Sequence, residues 1–152
     1  MKAFMMAMAL MVFAGSAVAA DKPNFSGIWK MDPAKSAYGQ VPPPELFVRR
    51  IEHAEPMITI VEEQRGVGTT PETSRKMKTD GTPTVETING AALKLTAVWE
   101  GSTLFAQTAI ESFGVAFKDR MSLSADGKTL TSVVKIDSAQ GAVELKIVFE
   151  RQ

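Results

Sequence analysis

Residues 141–151 read GAVELKIVFER, and this stretch decides the fold class. Its apolar residues alternate with Glu144, Lys146 and Glu150, so apolar and charged side chains fall on opposite faces of an extended chain. A period of two predicts a β-strand with one buried and one solvated face. Residues 93–100, LKLTAVWE, repeat the same alternation.

Turn signals divide the rest of the chain into short segments of about ten residues, among them Asp80-Gly81, Asn89-Gly90 and Asp126-Gly127. Asn-Gly and Asp-Gly pairs supply the positive φ angles of tight hairpins. No crossover helix fits between such signals, so the sheet is expected to be antiparallel. The predicted strands are residues 25–31, 45–53, 57–64, 73–79, 84–88, 93–100, 103–110, 115–124, 129–137 and 142–151.

Ten strands without covering helices must close on themselves or fold into two layers to hide their apolar face and their edges. The sequence therefore predicts an all-β protein, an antiparallel up-and-down β-barrel of about ten strands. One short helical turn is expected after the first strand, since Asp32 suits an N-cap, Pro33 the first helical position and Gly39 the stop.

The first twenty residues are typical of a secretory leader. Lys2 precedes an apolar run that is too short for a permanent membrane anchor, and Ala17-Val18-Ala19 fits a signal-peptidase site. We expect a cleaved signal peptide, residues 1–20, and one domain, residues 21–152. The chain has no cysteine and so no lipid-modified cysteine, which favours a periplasmic or secreted protein without an integral membrane segment.

The amino-acid composition excludes several kinds of partner and of catalytic or metal site. The 152 residues carry a formal net charge of zero, which gives no electrostatic case for nucleic acid as a partner. No cysteine and one histidine leave no disulfide, thiolate metal site or catalytic thiol. We interpret His53 as an exposed loop residue and Glu62, with its neighbouring glutamates, as a solvated strand edge. The sequence predicts no catalytic residues, metal or cofactor, and hence no enzyme.

Residues 25–39, FSGIWKMDPAKSAYG, resemble the opening of small secreted lipocalin-like proteins of bacteria. The core formed by Phe25, Gly27, Trp29 and Lys30 is similar to the first strand of calycins, the superfamily of lipocalins and fatty-acid-binding proteins. The chain departs from that pattern in lacking a Thr-Asp-Tyr motif and in leaving no room before residue 45 for a two-helix lid.

The resemblance implies how one end of the barrel closes. In calycins the tryptophan of the first strand lies under an arginine of the last strand, and Arg151 occupies that position here. Gly27, Trp29 and Arg151 are therefore expected to form the closure, with Gly27 allowing close backbone approach. In the alternative interpretation Trp29 is an ordinary core aromatic and Arg151 a solvated terminus.

Candidate ligand-binding residues are polar or aromatic side chains that share a strand phase with apolar ones. They are Arg50, Arg75, Trp99, Thr108, Phe117 and Asp119. Inside a barrel such groups need partners, either each other or a ligand head group. An arginine at Arg50 or Arg75 would suit the carboxylate of a fatty-acid-like ligand. If the strand phase shifts at a bulge, these charges face water instead.

Two functions remain open. The first is binding of a small apolar or amphipathic molecule in the barrel interior, where small Ala97 and Ala106 are expected to leave space. The alternative is a protein-interaction or inhibitor module with a packed barrel, no small-molecule ligand and an exposed apolar patch. The sequence specifies neither the ligand nor the oligomeric state.

Overall fold

The computed structural model describes residues 22–152, which form one ten-stranded antiparallel sheet. The predicted signal peptide lies outside the described residues. The strands are β1 (Gly27–Met31), β2 (Leu46–Ala54), β3 (Met57–Arg65), β4 (Glu72–Lys78), β5 (Thr84–Ile88), β6 (Ala91–Glu100), β7 (Thr103–Ile110), β8 (Val115–Leu123), β9 (Thr129–Ser138) and β10 (Gly141–Arg151).

The strand order is β4-β3-β2-β1-β10-β9-β8-β7-β6-β5, so the first and last strands pair in the middle of the sheet. The sheet curls into a nearly closed barrel through a bridge between Asp80, just after β4, and Val98 on β6. The predicted all-β up-and-down barrel is confirmed. Closure places β4 and the residues that follow it beside the part of β6 that extends beyond the short strand β5, and the Gly81 N–H donates to the Ala97 carbonyl at 2.8 Å. This limits the exposure of unpaired strand edges to other chains.

The helical turn predicted at Asp32–Gly39 is wrong. In its place the chain runs beside β10: the Ala37 N–H donates to the Lys146 carbonyl at 2.7 Å, and the Lys146 N–H donates to the Ala37 carbonyl at 2.9 Å. Pairing with a neighbouring strand satisfies these backbone groups better than one isolated helical turn does, since a short helix leaves most of them without partners. A 3-10 turn occurs later, at Glu111–Phe113.

The barrel has a closed end and an open end. The closed end carries residues 22–26 and the β2–β3, β6–β7 and β8–β9 turns, and the open end carries the β1–β2, β7–β8 and β9–β10 connections. Burial falls towards the open end. Along β8, Met121 is 0% exposed and Asp119 4%, while Phe117 is only half-buried.

The apolar core fills the closed half of the barrel. The alternation predicted on β6 and β10 is confirmed there. Among the described residues, the space expected beside Ala97 and Ala106 is not found, because both residues belong to the buried cluster and are 0% and 3% exposed. Side chains that are fully buried include Phe25, Trp29, Ile58, Ile60, Met77, Leu95, Leu104, Met121, Leu130 and Phe149.

Candidate functional site

Arg151 and Trp29 close one end of the barrel. The guanidinium carbon lies 4.2 Å from the centroid of the indole ring, while Nη1 donates to the Ser26 carbonyl at 2.8 Å. Gly27 makes room for this contact, because its φ is +144° and a Cβ there would lie 2.6 Å from Arg151 Nη1. An arginine over an indole ring is a favourable cation–π pair.

His53 belongs to the same closed end, and its interpretation as an exposed loop residue is wrong. It is buried near the end of β2, and its Nδ1 accepts a hydrogen bond from the Phe25 N–H at 3.2 Å. Nε2 must then carry the proton in the neutral ring, and it faces Glu55 Oε1 at 2.9 Å. The backbone of Phe25, just before β1, fixes His53 there, away from solvent.

Trp99, a candidate ligand-binding residue, also lies at this closed end. Its ring stacks on Phe25 with centroids 5.8 Å apart, and its Nε1 donates to Glu55 Oε1 at 2.8 Å. Burial alone would raise the pKa of Glu55, but hydrogen bonds from Thr79, His53 and Trp99 lower that pKa below its usual value. The structure therefore separates Trp99 from the other candidates.

An ionic layer crosses the middle of the barrel. Arg49, 2% exposed, pairs with Glu62 on the neighbouring strand β3 (Nε–Oε1, 2.7 Å) and with Asp119 on the far wall (Nη2–Oδ2, 3.0 Å). Arg75 on β4 reaches the same Glu62 oxygen at 2.8 Å, and Arg49 also donates to Ser132 Oγ on β9. We call Arg49, Glu62, Arg75, Asp119 and Ser132 the ionic layer.

The strand phase predicted for Arg50 is wrong. Its side chain is 52% exposed and pairs with Glu63 on the outer face, while Arg49 points inward. The reason is register: Trp29 lies opposite Arg49, and Arg49 lies opposite Glu62. Directly opposed residues share a face of the sheet, so an inward Trp29 requires an inward Arg49.

Glu62 and its partners keep the layer charged. Burial would raise the pKa of Glu62, but Arg75 and Arg49 outweigh that effect and lower the pKa below its usual value. Tyr38 lies near the layer, and burial raises the pKa of its phenol to about 12. The interpretation of Glu62 as part of a solvated edge is therefore corrected: it is a buried carboxylate that bridges two arginines.

Three buried polar atoms at the layer have no hydrogen-bond partner in the described part of the chain: Arg75 Nε, Thr108 Oγ1 and Asp119 Oδ1. Thr108 and Asp119 are diagonal neighbours on the β7–β8 pair, since Asp119 lies opposite Ala106 and Thr108 is two residues further along β7. Leaving a buried donor or acceptor without a partner costs about 1–3 kcal/mol. Such a cost is offset when a ligand or an ordered water supplies the missing bond.

Half-buried apolar side chains line the barrel between this layer and the open end. Leu93, Phe117 and Ile136 share the interior face, because Phe117 opposes both Ile136 and the buried Thr108. Two clefts, of about 450 and 330 Å³, flank the 3-10 turn at the same end. The smaller lies on the outer face, against Val85 and Lys94, and so outside the barrel interior. The open half thus combines a polar floor with apolar walls.

The structure brings four of the predicted candidates together here: Arg75, Thr108, Phe117 and Asp119. The sequence interpretation missed Arg49, Glu62 and Ser132. For Glu62 a signal existed, since it continues the phase of Ile58 and Ile60, and Ser132 likewise lies between Leu130 and Val134.

Among residues 22–152, no three histidine, cysteine, aspartate or glutamate side chains are grouped as a metal ion requires. Within the same described range, no helix has the length and apolar character to cross a membrane.

Comparison with solved structures identifies the fold. A secretory abundant heat soluble protein 4 from Ramazzottius varieornatus matches with TM-score 0.62 and 14% identity over 84% of this chain and 94% of its own. Zebrafish ileal bile acid-binding protein complexed with cholic acid matches with TM-score 0.59 and 17% identity over 84% and 98%. The chain folds as a calycin-like barrel.

A Schistosoma mansoni fatty acid binding protein in complex with arachidonic acid matches this barrel with TM-score 0.58 and 15% identity, over 84% of this chain and 96% of its own. Neither a scan against models of protein families nor a search of curated proteins gives a match. At these identities the likeness is one of fold. Several of the similar barrels are named as binding proteins for fatty acids or bile acids, and none of those is named as an enzyme.

Proposed function

We propose that this barrel binds a small apolar or amphipathic molecule in the half of its interior between the ionic layer and the open end. The observation that carries the proposal is the pair of unpartnered buried atoms, Thr108 Oγ1 and Asp119 Oδ1, beneath half-buried apolar walls. A site of this kind combines apolar surface with a few placed polar groups, as small-molecule sites do. The complexes of similar barrels with cholic acid and arachidonic acid support the same class of ligand.

The proposal is binding and not catalysis. The chain's one histidine, His53, is held by Phe25 and Glu55 at the closed end, away from the open half. In the ionic layer, Arg49, Glu62 and Arg75 bond to each other. Groups arranged in this way orient a polar ligand atom, but they supply no nucleophile with an adjacent base.

A titration with an uncharged, environment-sensitive apolar dye tests the proposal. Phe117 and Phe105 are a matched pair, because both are half-buried but Phe105 lies on the outer face under Arg120. We expect saturable fluorescence enhancement with the wild type. Phe117→Ala should bind the dye roughly tenfold more weakly, a loss of about 1.4 kcal/mol, because the dye loses its contact with the ring. Phe105→Ala should bind as the wild type does. Equal effects of the two substitutions would contradict an interior site.

The arginines give a second matched pair. Arg75 borders the proposed site, whereas Arg50 lies on the outer face. Arg75→Met should change the dissociation constant of an amphiphile that displaces the dye, and Arg50→Met should leave it unchanged. A change caused only by Arg50→Met would place binding on the outer surface.

A second candidate function is a protein-interaction module, and exposed apolar residues at the open end favour it. Val67 is 90% exposed and Phe113 is 68% exposed, each on a connection at that end. Apolar residues gathered at one end are typical of docking surfaces. Absence of dye uptake by the folded wild type would favour this function over ligand binding.

We also propose that the protein is exported, to the periplasm or the medium. The order of Lys2, the apolar run and Ala17-Val18-Ala19 supports this. Mass spectrometry of the protein expressed in a bacterium with its own leader should show the loss of 19 or 20 residues, as cleavage at this motif requires. Recovery of the exported chain with Met1 intact would contradict it.

A further inference from the structure

The charges of the ionic layer balance without a ligand. Arg49 and Arg75 contribute two positive charges to the ionic layer, and Glu62 and Asp119 contribute two negative charges. Glu86 adds a further carboxylate nearer the open end, because it opposes Leu93 and so shares the interior face. Within residues 22–152, the interior face from the ionic layer to the open end therefore offers a ligand no arginine or lysine that lacks a carboxylate partner.

The unpartnered atoms determine which hydrogen bonds a ligand head group must make. Arg75 Nε is a donor, Asp119 Oδ1 is an acceptor, and the Thr108 hydroxyl serves as either. A carboxylate has no hydrogen to give Asp119, and its charge would lie beside that of Asp119 with no free cation to pair with. A buried charge without a partner is strongly unfavourable.

We infer that the bound molecule carries an uncharged head group that both donates and accepts a hydrogen bond, such as a hydroxyl or a primary amide, and that anionic fatty-acid-like ligands are disfavoured. This inference rests on the proposed binding function. It reverses the expectation from the sequence that Arg50 or Arg75 would bind the carboxylate of a fatty-acid-like ligand. Arg50 lies on the outer face, and Arg75 is already paired with Glu62.

Displacement of the bound dye by three ligands with the same alkyl chain tests the inference: 1-decanol, decanoate and decylammonium at pH 8. We expect 1-decanol to bind at least about tenfold more tightly than either ion, as sites built around hydrogen bonds discriminate strongly. A result in which decanoate or decylammonium binds as tightly as 1-decanol would overturn the inference and leave the binding function standing. If the dye itself does not bind, both fail.

Glu62→Gln supplies the converse test, because it leaves Arg75 without a charged partner. Decanoate should then gain about tenfold relative to 1-decanol. Glu63→Gln is the matched control, since its carboxylate lies next along β3 on the outer face and pairs with Arg50 and Arg65. An unchanged preference in Glu62→Gln would overturn the inference.

Thr108→Val provides a variant that leaves all the charges in place. It should weaken 1-decanol about tenfold and leave the dissociation constant of the uncharged dye unchanged. A loss of affinity equal for the dye and for 1-decanol would show that Thr108 only shapes the wall, and would contradict its role as a hydrogen-bonding group.

Discussion

Arg49 on β2 and Asp119 on β8 form an ion pair across the interior of the barrel, with Nη2 and Oδ2 3.0 Å apart. The two strands are separated in the sheet by β1, β10 and β9, so the pair joins opposite walls. The rings of Phe47 and Phe149 lie 5.5 and 4.9 Å from the same guanidinium carbon. One side chain therefore links the apolar core of the closed half to the polar floor of the open half.

Arg49→Met should destabilise the protein by about 3–5 kcal/mol, because it leaves Asp119 without its charged partner in a buried site. The free energy of unfolding from urea titration measures the loss. Arg50→Met is the control: its side chain is 52% exposed, and the change should stay within about 0.5–1 kcal/mol. Equal losses in the two variants would contradict the ionic layer as a buried structural network.

Acid should destabilise the chain through Glu62. Its pKa is lowered in the folded state, so its contribution is full above the ordinary glutamate value of about 4.5 and disappears as the pH falls through the folded pKa. Glu62→Gln should therefore be about 3 kcal/mol less stable than the wild type at pH 7, and the difference should shrink as the pH falls below the ordinary glutamate value and through the lowered pKa of Glu62. Urea titrations across that range measure the difference.

The outer-face carboxylate of Glu63 gives the matched control for acid unfolding. Glu63→Gln should keep the full pH dependence of the wild type, because half-exposed pairs on the surface contribute little. A pH dependence in Glu62→Gln as steep as in the wild type would assign the acid sensitivity to another group, such as Glu55, whose pKa is also lowered.

Gly27→Ala should destabilise the closed end for two reasons. A φ of +144° is unfavourable for any residue with a Cβ. The new methyl group would also lie 2.6 Å from Arg151 Nη1 and so push the guanidinium away. We expect a loss of about 1–3 kcal/mol. In an Arg151→Ala background the loss should be smaller but still present, because only the backbone strain remains. Additive losses in thermal or urea unfolding would show that Gly27 and Arg151 do not interact.

The strands were predictable because their signals are local. Asn-Gly and Asp-Gly turns and two-residue alternation lie within each segment, and β5 and β7 begin and end where the sequence predicts. The conformation of residues 32–39 was not predictable from local signals, because it depends on pairing with Lys146, more than a hundred residues away. Local capping preferences are weak beside pairing with a strand.

The site was less predictable because β2 has apolar residues on both phases. Leu46 and Val48 suggest one face and Phe47 and Ile51 the other, so alternation alone does not place Arg49 or Arg50. Pairing with Trp29 on β1 decides between them. Register is a long-range property, and a shift of one residue exchanges the buried arginine for the exposed one.

Thr108→Val should stabilise the unliganded protein, by about 1 kcal/mol. The Thr108 hydroxyl is buried without a partner, so a methyl group of similar size removes the cost of its desolvation. Thr79→Val is the matched control, since Thr79 is equally buried but donates its hydroxyl to Glu55 Oε2. That variant should lose about 1–2 kcal/mol, because a bond to a charged group disappears. Thermal and urea unfolding compare the two. A loss for Thr108→Val as large as that for Thr79→Val would mean that the Thr108 hydroxyl is already satisfied, and would remove the main support for a ligand-binding floor in this barrel.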